Sequence, residues 1–262
     1  MSSENPPGAD FVQALARGLG VIECFDEDHA RMTLSEVARR TSLTRPSARR
    51  ALLTLQKLGY VTADGDRFML TARTLRLGYA YLSSEPLWDL AKPHLDHLRH
   101  ETAQSCSIGV FDGDEVVVVA RSAAKRVIND EVGVGFRWPA YCTALGRVLL
   151  GALTRQELDA YFARTQLKRL TPRTVISAAT LGRAVAQSRA QGWAVSDLQV
   201  DIEMRSISVP ILGKQGRIIA AINASGRAHL IDMAGMEKQY LPALQRAAAA
   251  ISAIAVSRSP VG

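Results

Sequence analysis

The sequence predicts an α+β protein in two parts: an N-terminal winged helix-turn-helix, then, after a linker helix, an antiparallel sheet with helices packed on it. Three observations carry this. The stretch Thr44 to Tyr60 reads as one helix with an apolar face and a basic face. A hairpin signal, two apolar runs around Asp64-Gly65, follows it directly. Beyond Pro86, runs of period two such as Ile207, Val209 and Ile211 recur between helical stretches.

The bulk properties set the frame. The 262 residues suit one large or two medium domains, and 47% hydrophobic with 22% charged residues is ordinary globular composition. A net charge of +7 favours an anionic partner without identifying it. No apolar run approaches the ~20 residues of a membrane span. Met1 to Asp10 is polar, contains Pro6-Pro7-Gly8 and lacks the pattern of a signal peptide, so residues 1–10 are expected to be a disordered tail. Cys24, Cys106 and Cys142 are an odd number with no C-x-x-C pair, which argues against a disulfide framework or zinc knuckle and for a reducing cytoplasm.

The first predicted helix spans Phe11 to Phe25, with Phe11, Leu15, Leu19, Ile22 and Phe25 at helical spacing. Thr33-Leu34-Ser35-Glu36 is a capping box opening a short second helix that turns Leu34, Val37 and Ala38 inward. Thr41-Ser42-Leu43 is the turn. In the third helix Thr44 is the N-cap, Pro46 fits the first turn and Gly59 suits the left-handed C-terminal position. Ala48, Ala51, Leu52, Leu55 and Leu58 form its apolar stripe, with Leu53 an exception on the basic side. From Val37 to Ala63 there is no acid, yet Arg39, Arg40, Arg45, Arg49, Arg50 and Lys57 fall in that window. A solvated helix interleaves both signs; a one-sign helix suits a polyanion, because Arg binds phosphates and guanine edges bidentately. Two short helices joined by a tight turn, then a hairpin, form a winged helix-turn-helix over residues 11–70. Thr44, Arg45, Ser47, Arg49 and Arg50 are its candidate contacts to double-stranded DNA, with Arg67 on the wing.

Thr71 to Ser83, with Leu75, Leu77, Tyr79 and Leu82, reads as a linker helix over residues 71–84 that pairs between subunits of a homo-oligomer, and Ser83-Ser84-Glu85-Pro86 breaks it. The second domain, 85–258, opens with a helix from Leu87 to Ala103. Its His94, His97 and His100 cannot share one metal at that spacing, and no metal or cofactor is expected. Strands follow at Ser105–Phe111, Glu115–Ala120 and Val127–Val134. Gly133-Val134-Gly135 lacks the third glycine of a dinucleotide loop and leads into no helix. Helices are expected at Thr143–Leu153, Arg155–Arg164 and Leu181–Gln191, and strands at Trp193–Val195, Ser206–Leu212 and Arg217–Ala224. A last helix runs from about Met236 to Val256, with a kink expected at Pro242.

No catalytic residues emerge. G-x-S-x-G, a P-loop, H-E-x-x-H and paired C-x-x-C are absent. Cys142 precedes a helix start, where a dipole lowers a thiol pKa, but no His neighbours it in sequence; Asp201 and Glu203 are merely two nearby acids. The same helix start offers the N–H groups of Thr143, Ala144 and Leu145, which suit a carboxylate. Asn223 and Ser225 share one strand face, as do Ser206 and Ser208 on its hairpin partner, and small polar groups on an apolar sheet suit a small polar ligand.

Together these residues resemble the IclR family of bacterial transcription regulators, from about Phe11 to Ser257. The resemblance rests on Leu34-Ser35-Glu36-Val37-Ala38, Leu43 to Leu55, Pro139 to Leu150, Leu170 to Thr174, Gly192 to Asp197 and Arg205 to Pro210. Ala140-Tyr141-Cys142-Thr143 and Gly146 to Leu150 look like the branch regulating aromatic-acid and β-ketoadipate catabolism. The resemblance implies a GAF-like effector domain, a dimer or dimer of dimers, promoter DNA as partner and a small organic acid as effector. Carried over, the effector contacts fall at Ala144, Leu145, Ser196, Ser206, Asn223 and Ser225. Ser206 stands where many members have Cys, and Asn223 where many have Ser. The competing reading is an enzyme or metabolite sensor whose basic helix is incidental.

Overall fold

The computed structural model describes residues 10–124 and 132–258, in two compact units that divide between Ser84 and Glu85. In the first unit, α1 (Gln13–Glu23) buries Val21, followed by Cys24. Of the apolar residues that the sequence spaces along this helix, Phe11, Leu15 and Leu19 are 50%, 62% and 44% exposed, and only Ile22 and Phe25 pack on the core. Periodicity alone does not say which side of the helix the domain covers.

Met32–Thr33 forms a two-residue strand, β1, too short to show a period. Thr33 then caps α2 (Leu34–Arg40) through the full reciprocal box: Glu36 Oε2 accepts from the Thr33 N–H at 2.7 Å, and Thr33 Oγ1 accepts from the Glu36 N–H at 3.4 Å. The turn closes with the Leu43 N–H on the Ala38 carbonyl at 3.0 Å. Thr44 caps α3 (Arg45–Lys57) by accepting from the Ser47 N–H, and α3 buries Ala48, Leu52 and Leu55. Leu58 is a correction. It is 52% exposed because the helix ends at Lys57, Gly59 takes φ +80°, and the Tyr60 N–H returns to the Leu55 carbonyl at 2.9 Å. The wing is β2 (Val61–Asp64) paired antiparallel with β3 (Arg67–Leu70) around Gly65, φ +61°, and β1 pairs with β3 on its other side. After one 3-10 turn, α4 (Leu75–Ser84) buries no residue.

The second unit opens with α5 (Leu87–Thr102), ended by Ala103 at φ +55°. Then follow β4 (Ser105–Asp112), β5 (Glu115–Ser122), β6 (Arg137–Pro139), a 3-10 turn (Ala140–Cys142), α6 (Ala144–Leu150), α7 (Arg155–Arg164) and α8 (Ala178–Gln191). The chain ends with β7 (Ala194–Asp197), β8 (Met204–Leu212), β9 (Ile218–Arg227) and α9 (Met233–Arg258), one helix through Pro242. The six strands form one antiparallel sheet in the order β6-β5-β4-β9-β8-β7. Most of the strand expected at Val127–Val134 lies outside the described residues. The edge strand is β6, whose Pro139 is tolerated at an edge, where its missing N–H costs no ladder bond.

Each sheet face has its own cover. On one, α5 and α9 dock: the Ser122 hydroxyl donates to Asp96 at 2.5 Å, and the Leu212 N–H donates to Ser252 Oγ at 2.8 Å. On the other, Val116, Ala194 and Ala221 share a core with Leu145, Val148 and Leu149 of α6 and with Leu158, Tyr161, Leu181 and Val185 of α7 and α8. Gly146 allows this approach, since a Cβ there would collide with the backbone of Ala140.

Candidate functional site

In the first unit, the helix-turn-helix presents α3 with its basic side open. Arg45, Arg49 and Arg50 are exposed, and among the described residues none of the three makes an ion pair. Thr44 Oγ1 donates to Ser47 Oγ at 3.0 Å, so the cap and the first turn are held as a unit. Arg67 is exposed at the start of β3 and donates to the Arg31 carbonyl at 3.4 Å. Arg40, also in the acid-free window, is engaged otherwise: it donates to the Cys24 carbonyl at 2.9 Å and pairs with Asp26 at 2.5 Å, fastening α2 to the end of α1.

In the second unit, the predicted polar groups fall in two rows. β-ladder register puts paired residues on one face. Ser105, Ser225, Ser206 and Ser196 stand abreast across β4, β9, β8 and β7. Two residues along, Arg121, Ser107, Asn223 and Ser208 stand abreast across β5, β4, β9 and β8. This is the face under α6. The Ser196 hydroxyl donates to the Cys142 carbonyl at 2.7 Å, and a Cβ at Gly109, next along β4 from Ser107, would lie 3.2 Å from Leu145 Cδ1. The expected residues Thr143, Ala144, Leu145, Ser196, Ser206, Asn223 and Ser225 thus share one side of the sheet.

Their hydrogen bonds are partly committed. Asn223 Oδ1 accepts from the Ser107 N–H at 3.1 Å, and Nδ2 donates to Ser225 Oγ at 2.9 Å. Ser208 donates to the Ile222 carbonyl at 2.9 Å. Thr143 Oγ1 takes the Gly146 N–H at 2.9 Å, and its carbonyl takes the Arg147 N–H at 3.1 Å, which leaves Ala144 and Leu145 as the helix-start donors. Ser206 and Ser225 are half-buried.

Three members of these rows, Ser105, Ser107 and Arg121, were not singled out from sequence. Ser105-x-Ser107 carries the same period-two signal as Asn223-x-Ser225; Arg121 falls one residue past the strand the sequence predicts, Glu115–Ala120, and β5 runs on to Ser122. Tyr141, within the stretch that carries the resemblance, lies in the core, its hydroxyl donating to the Lys168 carbonyl at 2.7 Å.

Other groups fare differently as sites. Burial pushes the Cys142 thiol up to about 12, so it is protonated near neutrality and is no nucleophile. Arg147 is buried, donating to the Val195 carbonyl at 2.5 Å and to Gln199 Oε1 at 2.6 Å, and burial lowers its pKa. A cleft of about 580 Å³ at the β4–β5 turn is lined by Asp112, Asp114, Glu115, Arg137 and Arg164. Those charges already pair with one another at 2.6–2.8 Å, and the cleft is not on the serine rows. Among the described residues no group of three or more His, Cys, Asp or Glu is placed to hold a metal ion, and no helix is long and apolar enough to cross a membrane.

Comparison with known proteins gives two family models. Residues 14–65 match the IclR helix-turn-helix domain, and residues 79–253 match the bacterial transcriptional regulator IclR C-terminal domain. The chain is 40% identical over 236 residues to the Pca regulon regulatory protein of Pseudomonas putida, covering 90% of this chain and 81% of that one. A solved structure of a transcriptional regulator from Rhodococcus sp. RHA1 superposes with a TM-score of 0.81 at 43% identity, over 95% of this chain and 100% of that one. The inducer-binding domain of the PobR transcription factor from Acinetobacter, a double mutant in complex with 3-hydroxybenzoic acid, superposes with a TM-score of 0.59 at 31% identity, over 63% of this chain and 97% of that one.

Proposed function

The chain belongs to the IclR family of bacterial transcriptional regulators, and from that premise we propose that it controls genes for the catabolism of aromatic or related organic acids by binding such an acid in its second unit. It carries a DNA-binding helix-turn-helix, and α3 is the element that enters the major groove. Arg45, Ser47 and Arg49, near its start, are assigned to base edges. Thr44, Arg50 and Arg67 are assigned to the phosphate backbone. The protein acts from the cytoplasm as a dimer or dimer of dimers, and its role is regulatory, not enzymatic.

The observation that carries the effector assignment is the pair of polar rows beneath α6. A sheet face buried against a helix is ordinarily apolar, and each buried hydroxyl or amide there costs free energy unless it is bonded. Serines abreast on four strands therefore favour a small ligand with several hydrogen-bonding groups. Ser196, Ser206, Asn223 and Ser225 hold its polar atoms, and Thr143, Ala144 and Leu145 form the polar edge of the lid above it. The relative from Acinetobacter, crystallised with 3-hydroxybenzoic acid, supports the chemical class.

Calorimetric titration of the full-length protein with 3- and 4-hydroxybenzoate, repeated on Asn223→Ala and Ser225→Ala, tests this. Binding that weakens at least tenfold in both variants is the expected result. Undiminished binding would place the pocket elsewhere, and no binding by any small organic acid would return the serine rows to structural duty.

A further inference from the structure

The polar rows include one cationic side chain, Arg121. It lies on β5 directly opposite Ser107 of β4, and its Nη1 donates to Ser107 Oγ at 2.9 Å. Its guanidinium is therefore drawn over β4, towards Asn223 and Ser225 on β9, and onto the face that α6 covers. Ser107 is buried, and its hydroxyl is the acceptor in this bond, so its own proton is not used in it. Arg121 and Ser107 thus set a guanidinium and a hydroxyl side by side at one end of the two rows.

The other candidate anion site on this face is the start of α6, and it is the weaker one. The helix has seven residues, the Thr143 side chain already caps one of its free first-turn N–H groups, and those that remain carry only partial charge. A guanidinium carries a full charge and matches a carboxylate with two parallel N–H···O bonds. Adjacent strands are about 4.8 Å apart. An acid whose carboxylate meets Arg121 and Ser107 above β4 would lay its ring across β9 and bring a ring hydroxyl towards Ser206 on β8.

We propose that Arg121, with Ser107, binds the carboxylate of the effector, and that Ser206 receives the ligand's other polar end. This rests on the assignment of the serine rows as the effector site and adds the ligand's orientation to it. It also states what the site selects: a carboxylate at one end and a neutral hydrogen-bonding group at the other.

The test uses full-length protein and two pairs of probes, 3- and 4-hydroxybenzoate with the matching hydroxybenzamides, titrated calorimetrically into wild type, Arg121→Gln and Arg121→Lys. In the wild type at least one acid should bind about tenfold or more tighter than its amide. Arg121→Gln should remove that preference, weakening the acid about tenfold or more while leaving the amide within about threefold. Arg121→Lys should fall between, since it keeps the charge and loses the bidentate geometry. Acid affinity unchanged in Arg121→Gln would overturn the orientation while leaving the effector site standing. Equal loss of acid and amide would mark Arg121 as structural and overturn it too. Should Arg121→Gln fail to fold, a wild type without preference for acid over amide, or an Arg121→Lys protein indistinguishable from wild type, would overturn it alone. A wild type that binds none of the four probes, nor any other small organic acid, would remove the effector reading itself and this inference with it.

Discussion

Ser196 Oγ donates a 2.7 Å hydrogen bond to the carbonyl oxygen of Cys142, tying β7 to the turn that precedes α6. Both groups are buried, so the bond is made away from water and its loss leaves an acceptor stranded. Ser196→Ala should lower unfolding stability by about 1–3 kcal/mol in urea titration of the full-length protein. It should also loosen effector binding, because the α6 start is held over the serine rows by this bond. An unchanged urea midpoint would show that the carbonyl finds another donor.

Gly146 is under a steeper constraint. A Cβ there would run into the carbonyl oxygen, Cα and carbonyl carbon of Ala140, all of them backbone atoms that no rotamer change can move aside. Gly146→Ala, harmless in an open helix, should destabilise the second unit by about 1–3 kcal/mol or more through overpacking. Alanine at Gly182, where a Cβ would meet nothing within 4 Å, is the control and should be neutral or stabilising. Two equal thermal midpoints would refute the close approach.

These two positions show what was legible in the sequence. The capping box at Thr33, the cap at Thr44 and the Asp-Gly wing are local: partners lie within one helical turn or one short hairpin, so the residue order shows them. The Asn223–Ser225 and Ser206–Ser208 alternations placed polar groups on one face of a hairpin for the same reason. Ser105, Ser107 and Arg121 needed the register of β4 against both β5 and β9; Ser107 alone has partners 14 and 116 residues away. That Phe11, Leu15 and Leu19 face outward while Val21 and Cys24 turn in was not legible, because helical spacing shows a face without showing what covers it. Gly146 was visible as a glycine, but only the folded-back turn at Ala140 explains it.

On the DNA side, Arg49→Ala should cost on the order of 1–3 kcal/mol in binding to a selected operator and relax its sequence preference, as loss of a base contact does. Arg67→Ala should weaken binding to all sequences alike and reduce the slope of log K against log salt by about 1, as loss of a phosphate contact does. If neither variant alters binding, α3 and the wing are not the reading surface.

Asp197 makes a pH-dependent contribution to the loops beside the serine rows. It accepts from Arg205 Nε at 2.5 Å and from Arg173 Nη2 at 2.6 Å. Partial burial works to raise its pKa, but the hydrogen bonds and charges of the two arginines outweigh it and hold the carboxyl below its ordinary value of 3.8. A carboxylate with a depressed folded-state pKa contributes stability that is fully present above its unfolded value and is lost as pH falls towards the folded one. Asp197→Asn should therefore be less stable than wild type at pH 7, and the difference should shrink below about pH 4. A difference that is constant across that range would assign the effect to packing instead of charge.

The last prediction concerns assembly. α1 and the residues just before it leave Phe11, Leu15 and Leu19 outside the core of their unit, and α4 exposes Leu75, Leu77, Tyr79 and Tyr81 without burying any residue. Apolar surface of this extent on a small unit marks an interaction site, and a partner copy of the chain supplies a matching surface by symmetry. One winged domain reads a short half-site, so a two-fold pair should read a palindrome with half-sites about one helical turn, or a multiple of it, apart. Light scattering at micromolar protein should give a dimer or tetramer. The double variant Leu15→Glu with Leu19→Glu, both outward on α1, should lower the mass while keeping the helical circular dichroism signal. It should also bind the palindrome no better than a single half-site. A wild type that is monomeric and binds an asymmetric site would show that these side chains face water for some other reason.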